Sequence, residues 1–369
     1  MVTILGGGIA GTALGAALAH RGHPAVVYER RPDSGTGAFM VLDGNAERAL
    51  VELGADVDAL HKVSYPMSGG FKFHYRPEGG NSGPSRGHRL YPREGLMRVL
   101  DAFAADAGAD IRRGVAVTDI EPTTGIMTAG TTVLDPEDGV VIAADGIDSL
   151  ARARIEPGRP AVYAGQVVFY GTTVRRISAF VEPDILHFHG RLVEGRPLPV
   201  ASFGHLSTPD GTYWFARLTR PAIALDDIGT HPVSVWAAAL RAADPAASEL
   251  IDAILAATDT VHAANCRAVP LNNALAPRGP VTLCGDADHA VSPAAAIGAG
   301  EALEDALALT RALTSGGSAA EAMAQRRIDI GVAREKARRR VTAGQPRTAP
   351  EDHNPNDDPD QVTRMWGFN

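Results

Sequence analysis

The chain opens on a short apolar run, Val2–Leu5, that stops at three consecutive glycines. A run this short, closed by glycine, predicts a buried strand. Ala and Leu dominate Ile9–Arg21, which predicts a helix stopped by Gly22, and Ala25–Tyr28 returns as a second apolar strand. Strand, helix and strand make one parallel crossover. Ala46–Leu53 and Gly95–Ala107 have apolar positions at helical spacing, the first again ending at a glycine, Gly54. Residues 76–88 are rich in Gly, Pro, Ser and Arg and predict an exposed loop. Residues 115–144 alternate and turn often, as a small sheet would before a strand at Val140–Ala143.

After Arg154 the texture changes. Segments 162–175, 185–193, 198–206 and 212–219 are rich in Val, Phe, Tyr and Thr and predict antiparallel strands. Residues 233–257 predict a helix, Val281–Cys284 a buried strand, Ala302–Thr314 a helix and Ala320–Arg340 a long basic helix. Residues 346–369 cluster Pro, Asn and Asp and read as a polar tail.

A chain of 369 residues, 45% of them hydrophobic, has room for two domains with a large core. The net charge of −8 argues against nucleic acid or an anionic membrane surface as partner. Two cysteines, Cys266 and Cys284, are too few for a disulfide framework or a four-thiolate zinc site, and point to a reduced, cytoplasmic protein. Residues 1–19 carry no charged side chain, yet five glycines interrupt them and no basic segment precedes them, so neither a leader nor a membrane span is expected.

The candidate chemistry starts at Gly6-Gly7-Gly8-Ile9-Ala10-Gly11, a G-x-G-x-x-G between strand and helix. Gly6 permits the tight turn, Gly8 lets a pyrophosphate reach the backbone, and Gly11 lets helix and strand approach. The N–H groups of the first helical turn then face the phosphates. Glu29, followed by Arg30, ends the second strand, where a carboxylate accepts ribose hydroxyls. The motif predicts a dinucleotide without choosing between FAD and NAD.

Residues 281–306 read VTLCGDADHAVSPAAAIGAGEALEDA. With the opening motif, this resembles the class A flavoprotein monooxygenases, the group of para-hydroxybenzoate and salicylate hydroxylases. Gly285, Asp286, Ala287, His289, Pro293, Gly298, Glu304, Asp305 and Ala306 fit that family's signature. The resemblance implies FAD as cofactor, with Asp286 on its ribityl chain, Pro293 beside the isoalloxazine ring, and the peptides of Gly298, Ala299 and Gly300 at the pyrimidine edge. A glycine loop that opens a helix suits the negative charge of that edge. VVIAADGIDSLAR resembles the family's Asp-Gly fingerprint, which serves FAD and the NAD(P)H donor, with Asp145, Gly146, Ser149 and Arg152 matching. Arg93 matches an arginine that contacts FAD, residues 35–54 the segment beside the flavin, and Tyr163–Gly171 the first strand of the substrate sheet.

The resemblance implies an α/β protein. Residues 1–65, 88–155 and 270–345 form a discontinuous Rossmann-like FAD-binding domain. Residues 66–87 and 156–269 form an inserted mixed or antiparallel sheet for the substrate, and the long C-terminal helix braces the two. It also implies an FAD-dependent, NAD(P)H-consuming monooxygenase, monomer or homodimer, that hydroxylates or epoxidises an aromatic or polyene small molecule with dioxygen through a flavin hydroperoxide. Oxidation, reduction or cyclisation on the same fold without oxygen insertion is the alternative.

The chain departs from the family in three places. Ile297-Gly298-Ala299-Gly300 lacks a frequent flavin-touching side chain, Asp288 stands where relatives have alanine, and Tyr170 replaces a frequent arginine. The last predicts an apolar pocket without an essential carboxylate. Arg175, Arg191 and Arg217 lie on the candidate strands, and alternation alone does not say whether any points inward. His205 and Tyr213 are the candidates for orienting a substrate; no other catalytic side chain is assigned. His289 reads as a structural hydrogen-bonding group. His187 and His189 share a strand face, read as sheet residues, and no metal is expected.

Overall fold

The computed structural model describes residues 1–34, 37–75, 81–136, 139–175, 177, 182–190, 201–292 and 297–343, with side chains excluded at 81 and 336–343. Val2–Leu5 pairs in parallel with Ala25–Glu29 on one side and Val141–Ala143 on the other. Val281–Leu283 and Asp110–Arg113 complete a five-stranded parallel sheet. One face, with Ile4, Val27 and Ile142, packs under the helices Ile9–His20, Gly44–Leu53, Arg93–Asp106 and Gly298–Thr314. The other, with Leu5, Val26, Val141 and Leu283, is covered by the meander Asp119–Ile120, Met127–Ala129 and Thr132–Leu134. Burial on both faces is why these strands read as continuous apolar runs rather than alternating ones.

The second sheet has eight strands, ordered Gly229–Pro232, Thr260–Ala268, Val162–Thr172, Gly211–Thr219, Ala201–Thr208, Ile185–Gly190, Gly70–His74 and Asn81–Gly83. It is mixed: Ile185–Gly190 runs parallel to Gly70–His74, and the other pairs are antiparallel. Alternation sorts its side chains. Val167, Phe169, Phe203, Trp214 and Ala216 form the outer face, under the helices Val233–Arg241 and Ser248–Ala256. Phe71, Phe73, Leu186, Phe188, Leu206, Tyr213 and Phe215 form the inner face, against the small sheet of Phe39–Leu42, Arg89–Pro92 and Tyr65–Pro66.

Several expectations change. Residues 233–257 are not one helix: Asp244 accepts from Ala246 N at 3.0 Å and Pro245 opens a separate turn, so the chain breaks there. Within the expected loop 76–88, Asn81–Gly83 is an edge strand. Gly70–His74, Thr260–Ala268 and the small sheet were not legible as strands. The long helix, Ala319–Ala343, sends its described hydrogen bonds to residues 275–305 rather than to the large sheet. The expected tail at 346–369 lies outside the described residues. No described helix is long and apolar enough to cross a membrane.

Candidate active site

The glycine motif lies at the C-terminal ends of the parallel strands, where such sheets open a crevice. Gly6 has φ +103°, and a Cβ there would fall 2.4 Å from the Ala144 carbonyl oxygen. A Cβ on Gly11 would fall 1.9 Å from the Gly6 oxygen. Both positions therefore require glycine for the protein's own packing. Gly8 differs: its φ is −76°, which any residue adopts, and a Cβ would meet nothing within 4 Å. Open space over Gly8, ahead of the free first-turn N–H groups of Ile9, Ala10 and Gly11, leaves room for a ligand phosphate there.

Glu29 accepts from Gly7 N at 2.7 Å and from Arg31 N at 2.8 Å, which fixes its carboxylate beside the loop. Arg30 is exposed next to it. Ser149 is the N-cap of the helix Leu150–Ile155, and Asp145 accepts with one oxygen from the first-turn N–H groups of that helix, from Leu150 at 2.7 Å. Its other oxygen, Oδ1, is buried without a hydrogen-bond partner. Burial raises its pKa despite the bonds from Ser149, Ala151 and Leu150. An orphaned acceptor beside the crevice suits a donor supplied by a ligand.

Asp286 starts the short helix Asp286–His289. A Cβ on Gly298 would stand 3.5 Å from Asp286 Oδ1, so the turn opening the helix Gly298–Thr314 faces this carboxylate. The protein packed around Asp286 raises its pKa, while His289 and Arg93 pull the other way. The side chain is nevertheless open to the groove. Gly298, Ala299 and Gly300 are half-buried at the helix start. Pro293 lies outside the described residues.

The rest of the signature is a buried ion network. His289 donates from Nε2 to Asp305 Oδ2 at 2.6 Å, and Gly285 N donates to the same oxygen at 3.0 Å. Burial alone would lower the His289 pKa; Asp305, with Asp288 and Glu301 behind it, overrides this and raises it to about 9. Asp288, fully buried, takes two bonds from Arg327 at 2.6 and 2.7 Å and one from Arg159 at 2.9 Å. The unusual acid of the motif thus has two guanidinium partners.

Arg93, first residue of its helix, is half-buried beside Asp286 and Tyr170; burial lowers its pKa and Arg31 adds to this. Arg93, Phe39, Tyr170, Thr172 and Tyr213 line a cavity of about 180 Å³. Phe39 meets Tyr213 edge-on with centroids 5.4 Å apart, and Tyr65 packs on Tyr213 at 5.5 Å while donating to Asp210 at 2.5 Å. Tyr213 is therefore in the cavity wall. His205 is not. It pairs across the ladder with Trp214, on the outer face, where it joins His74, His187 and His189. Sequence spacing linked only His187 and His189; neighbouring strands bring the other two. Their rings stack nearly parallel, and among the described residues no group of three or more His, Cys, Asp or Glu is arranged to hold a metal ion.

The three arginines of the candidate strands separate by burial. Arg175 is exposed and Arg191 lies outside the described residues, but Arg217 is buried, at 5% exposure. It follows Tyr213 and Phe215 at two-residue steps, which puts it on the inner face.

The parallel sheet, the glycine turn and the acid-lined groove beside an aromatic cavity define a dinucleotide-binding protein. The FAD binding domain family matches residues 1–325. The kynurenine 3-monooxygenase of Salinispora arenicola is 28% identical over 356 residues, covering 88% of this chain and 74% of that protein. The salicylate hydroxylase of Pseudomonas putida is 29% identical, covering 85% of this chain and 76% of that one. Among solved structures, the tetrameric form of 2-methyl-3-hydroxypyridine-5-carboxylic acid oxygenase superposes with a TM-score of 0.72 at 21% identity, covering 92% and 89% of the two chains. The Klebsiella pneumoniae protein HpxO, complexed with FAD and uric acid, gives 0.69 at 22%, covering 88% and 83%. The chain belongs to the class A FAD-dependent monooxygenases and is an FAD-dependent monooxygenase.

Proposed function

We propose that this monooxygenase consumes NAD(P)H and inserts one oxygen atom of dioxygen into an aromatic small molecule held on the inner face of the eight-stranded sheet. The observation that carries the reading is the cavity where Arg93, from the groove side, meets Phe39, Tyr170 and Tyr213. The aromatic substrates named for the kynurenine and salicylate relatives support it. In this reading residues 1–65, 88–155 and 270–345 bind the cofactor, and 66–87 with 156–269 bind the substrate.

Bound FAD supplies the two-electron chemistry and the activation of dioxygen. The chain supplies position and shelter. Gly8 and the first-turn N–H groups of Ile9, Ala10 and Gly11 hold the pyrophosphate. Glu29 and Arg30 take the adenosine ribose, Asp286 the ribityl hydroxyls, and Arg93 the region between groove and cavity. Asp145 offers its free oxygen to cofactor or donor. The peptides of Gly298, Ala299 and Gly300 would hold the electron-rich edge of its ring. Tyr213 orients the substrate, and the small sheet closes the cavity against water.

The test is a substrate screen by NAD(P)H oxidation under labelled dioxygen, read by product mass. The expected result is substrate-stimulated oxidation with one ¹⁸O in the product. Turnover that continues without dioxygen, or product without label, would favour oxidation, reduction or cyclisation on the same scaffold.

A further inference from the structure

His289 is a buried titratable side chain that the reading above leaves without a task, at 1% exposure. Both of its ring nitrogens face carboxylates of the helix Gly298–Thr314. Nε2 lies 2.6 Å from Asp305 Oδ2, and Nδ1 lies 3.8 Å from Glu301 Oε2. A neutral imidazole has one N–H and a lone pair on the other nitrogen, which here would point at a carboxylate. The charged ring, with an N–H on each nitrogen, suits both partners. The long helix balances the two acids further. Arg326 Nε donates to Asp305 at 2.9 Å and also pairs with Glu304, and Arg334 donates to Glu301 at 2.9 Å. Asp288, next to His289 in the chain, has Arg159 and Arg327 for its own charge.

This charge sits three residues from Asp286 on one short helix, a spacing that makes two side chains neighbours. Gly285 N donates at 3.0 Å to the same Asp305 oxygen that holds His289, so one acid fixes both ends of the segment. The surrounding protein raises the Asp286 pKa by burial. His289 opposes this first and Arg93 second, while Glu301 and Asp305 add to the rise. Asp286 still meets water in the groove. A ligand seated there removes that water, and desolvation favours the neutral acid. A neutral acid carries its own O–H and loses acceptor capacity. The carboxylate therefore depends most on a nearby cation when the groove is filled.

We propose that the His289 imidazolium is the counter-charge that keeps Asp286 ionised beneath bound FAD, so that the carboxylate can accept from the ribityl hydroxyls. His289 is then a positioning residue that acts through Asp286. This rests on the ribityl assignment of Asp286 made above, and on the two carboxylate partners of His289 for the charge. The sign follows from the acceptor role. FAD affinity falls as pH drops through the Asp286 pKa, because the acceptor is protonated. The imidazolium lowers that pKa, so removing its charge moves the fall to higher pH.

The experiment follows FAD release on dilution of the holoprotein, read by flavin fluorescence, from pH 4.5 to 8. It compares the wild type with His289→Gln, which keeps an N–H for Asp305 and removes the charge, and with Asp286→Asn. The acid limb of FAD affinity should rise by about one pH unit or more in His289→Gln. Asp286→Asn should bind FAD more weakly at pH 8 and lack the limb. An affinity lowered equally at every pH in His289→Gln, with the limb unmoved, makes His289 a packing residue and overturns the proposal while the ribityl assignment stands. Wild-type affinity and an intact limb in Asp286→Asn overturn that assignment and the proposal together. Nitrogen-15 NMR of the histidine-labelled wild-type holoprotein decides if His289→Gln does not fold. It should show a ring still doubly protonated at pH 8, and the absence of one overturns the proposal.

Discussion

Of the four glycines between positions 6 and 11, Gly8 and Gly11 answer to different constraints. Gly11 has a Cβ position 1.9 Å from a backbone oxygen, which nothing can relieve, whereas Gly8 has open space. Gly11→Ala should therefore lower the melting temperature of the apoprotein steeply. Gly8→Ala should leave it within a degree or two while weakening FAD at least tenfold, as measured by fluorescence titration; an unchanged affinity removes Gly8 from the phosphate cradle. Asp286→Ala should cost about 1.5–3 kcal/mol of FAD binding, the worth of hydrogen bonds to a charged acceptor. Equal FAD affinity in wild type and variant would end the ribityl assignment. The glycines were legible in the sequence because a turn is local, and Asp286 because its segment resembles the family's signature. His205 and Tyr213 looked equivalent there, and only the pairing of His205 with Trp214 and of Leu206 with Tyr213 separates them into opposite faces.

At the scale of elements, the short helix Asp286–His289 is held by partners that its own motif does not contain. Arg327 and Arg334 come from the long C-terminal helix, and Arg152 and Arg159 from residues far upstream. The sequence showed that helix as basic and suggested a brace between domains; the structure assigns two of its arginines to clamping the Gly285–Asp286 segment. Arg327→Ala leaves Asp288 buried with Arg159 alone, so the expected loss is about 1.5–3 kcal/mol, below that of a wholly abandoned buried charge. Chemical denaturation with both arginine variants checks it: if Arg327→Ala is neutral while Arg159→Ala is not, the long helix is not the clamp. The acid at 288 looked like an unexplained departure because its partners lie 39 and 129 residues away.

For the whole molecule, two sets of histidines tilt stability in opposite directions with pH. His289 is raised to about 9, so the stability it contributes is complete below its unfolded value near 6.5 and is lost as pH climbs through 9. The outer-face group is lowered by burial, His187 to about 4 and His189 to about 3, with His74 and His205 also lowered. These contribute fully above 6.5, and their contribution is lost as pH falls toward 4 and then 3. Melting temperature should peak near neutrality and fall by several degrees on each side. His289→Gln should flatten the alkaline limb and His189→Gln the acid one. A thermal-shift series from pH 4 to 10 tests this, and limbs that keep their slopes in the variants would mean other groups set them.

The sequence by itself determined the parallel nucleotide-binding sheet, the glycine turn, the acid after the second strand and the Gly-Asp segment. The first three depend on sterics or periodicity within a few residues, written in consecutive letters, and the Gly-Asp segment was legible through its resemblance to the family's signature. Only the tertiary structure decided which face each strand of the large sheet turns to the cofactor side. Gly70–His74 joins that sheet in parallel from outside the expected strands, and a bulge interrupts the register between Tyr163 and Val167. Alternation has a period of two, so one shift in register exchanges inside for outside. For that reason Arg217, ambiguous as a letter, became in three dimensions a buried cation on the inner face of the sheet.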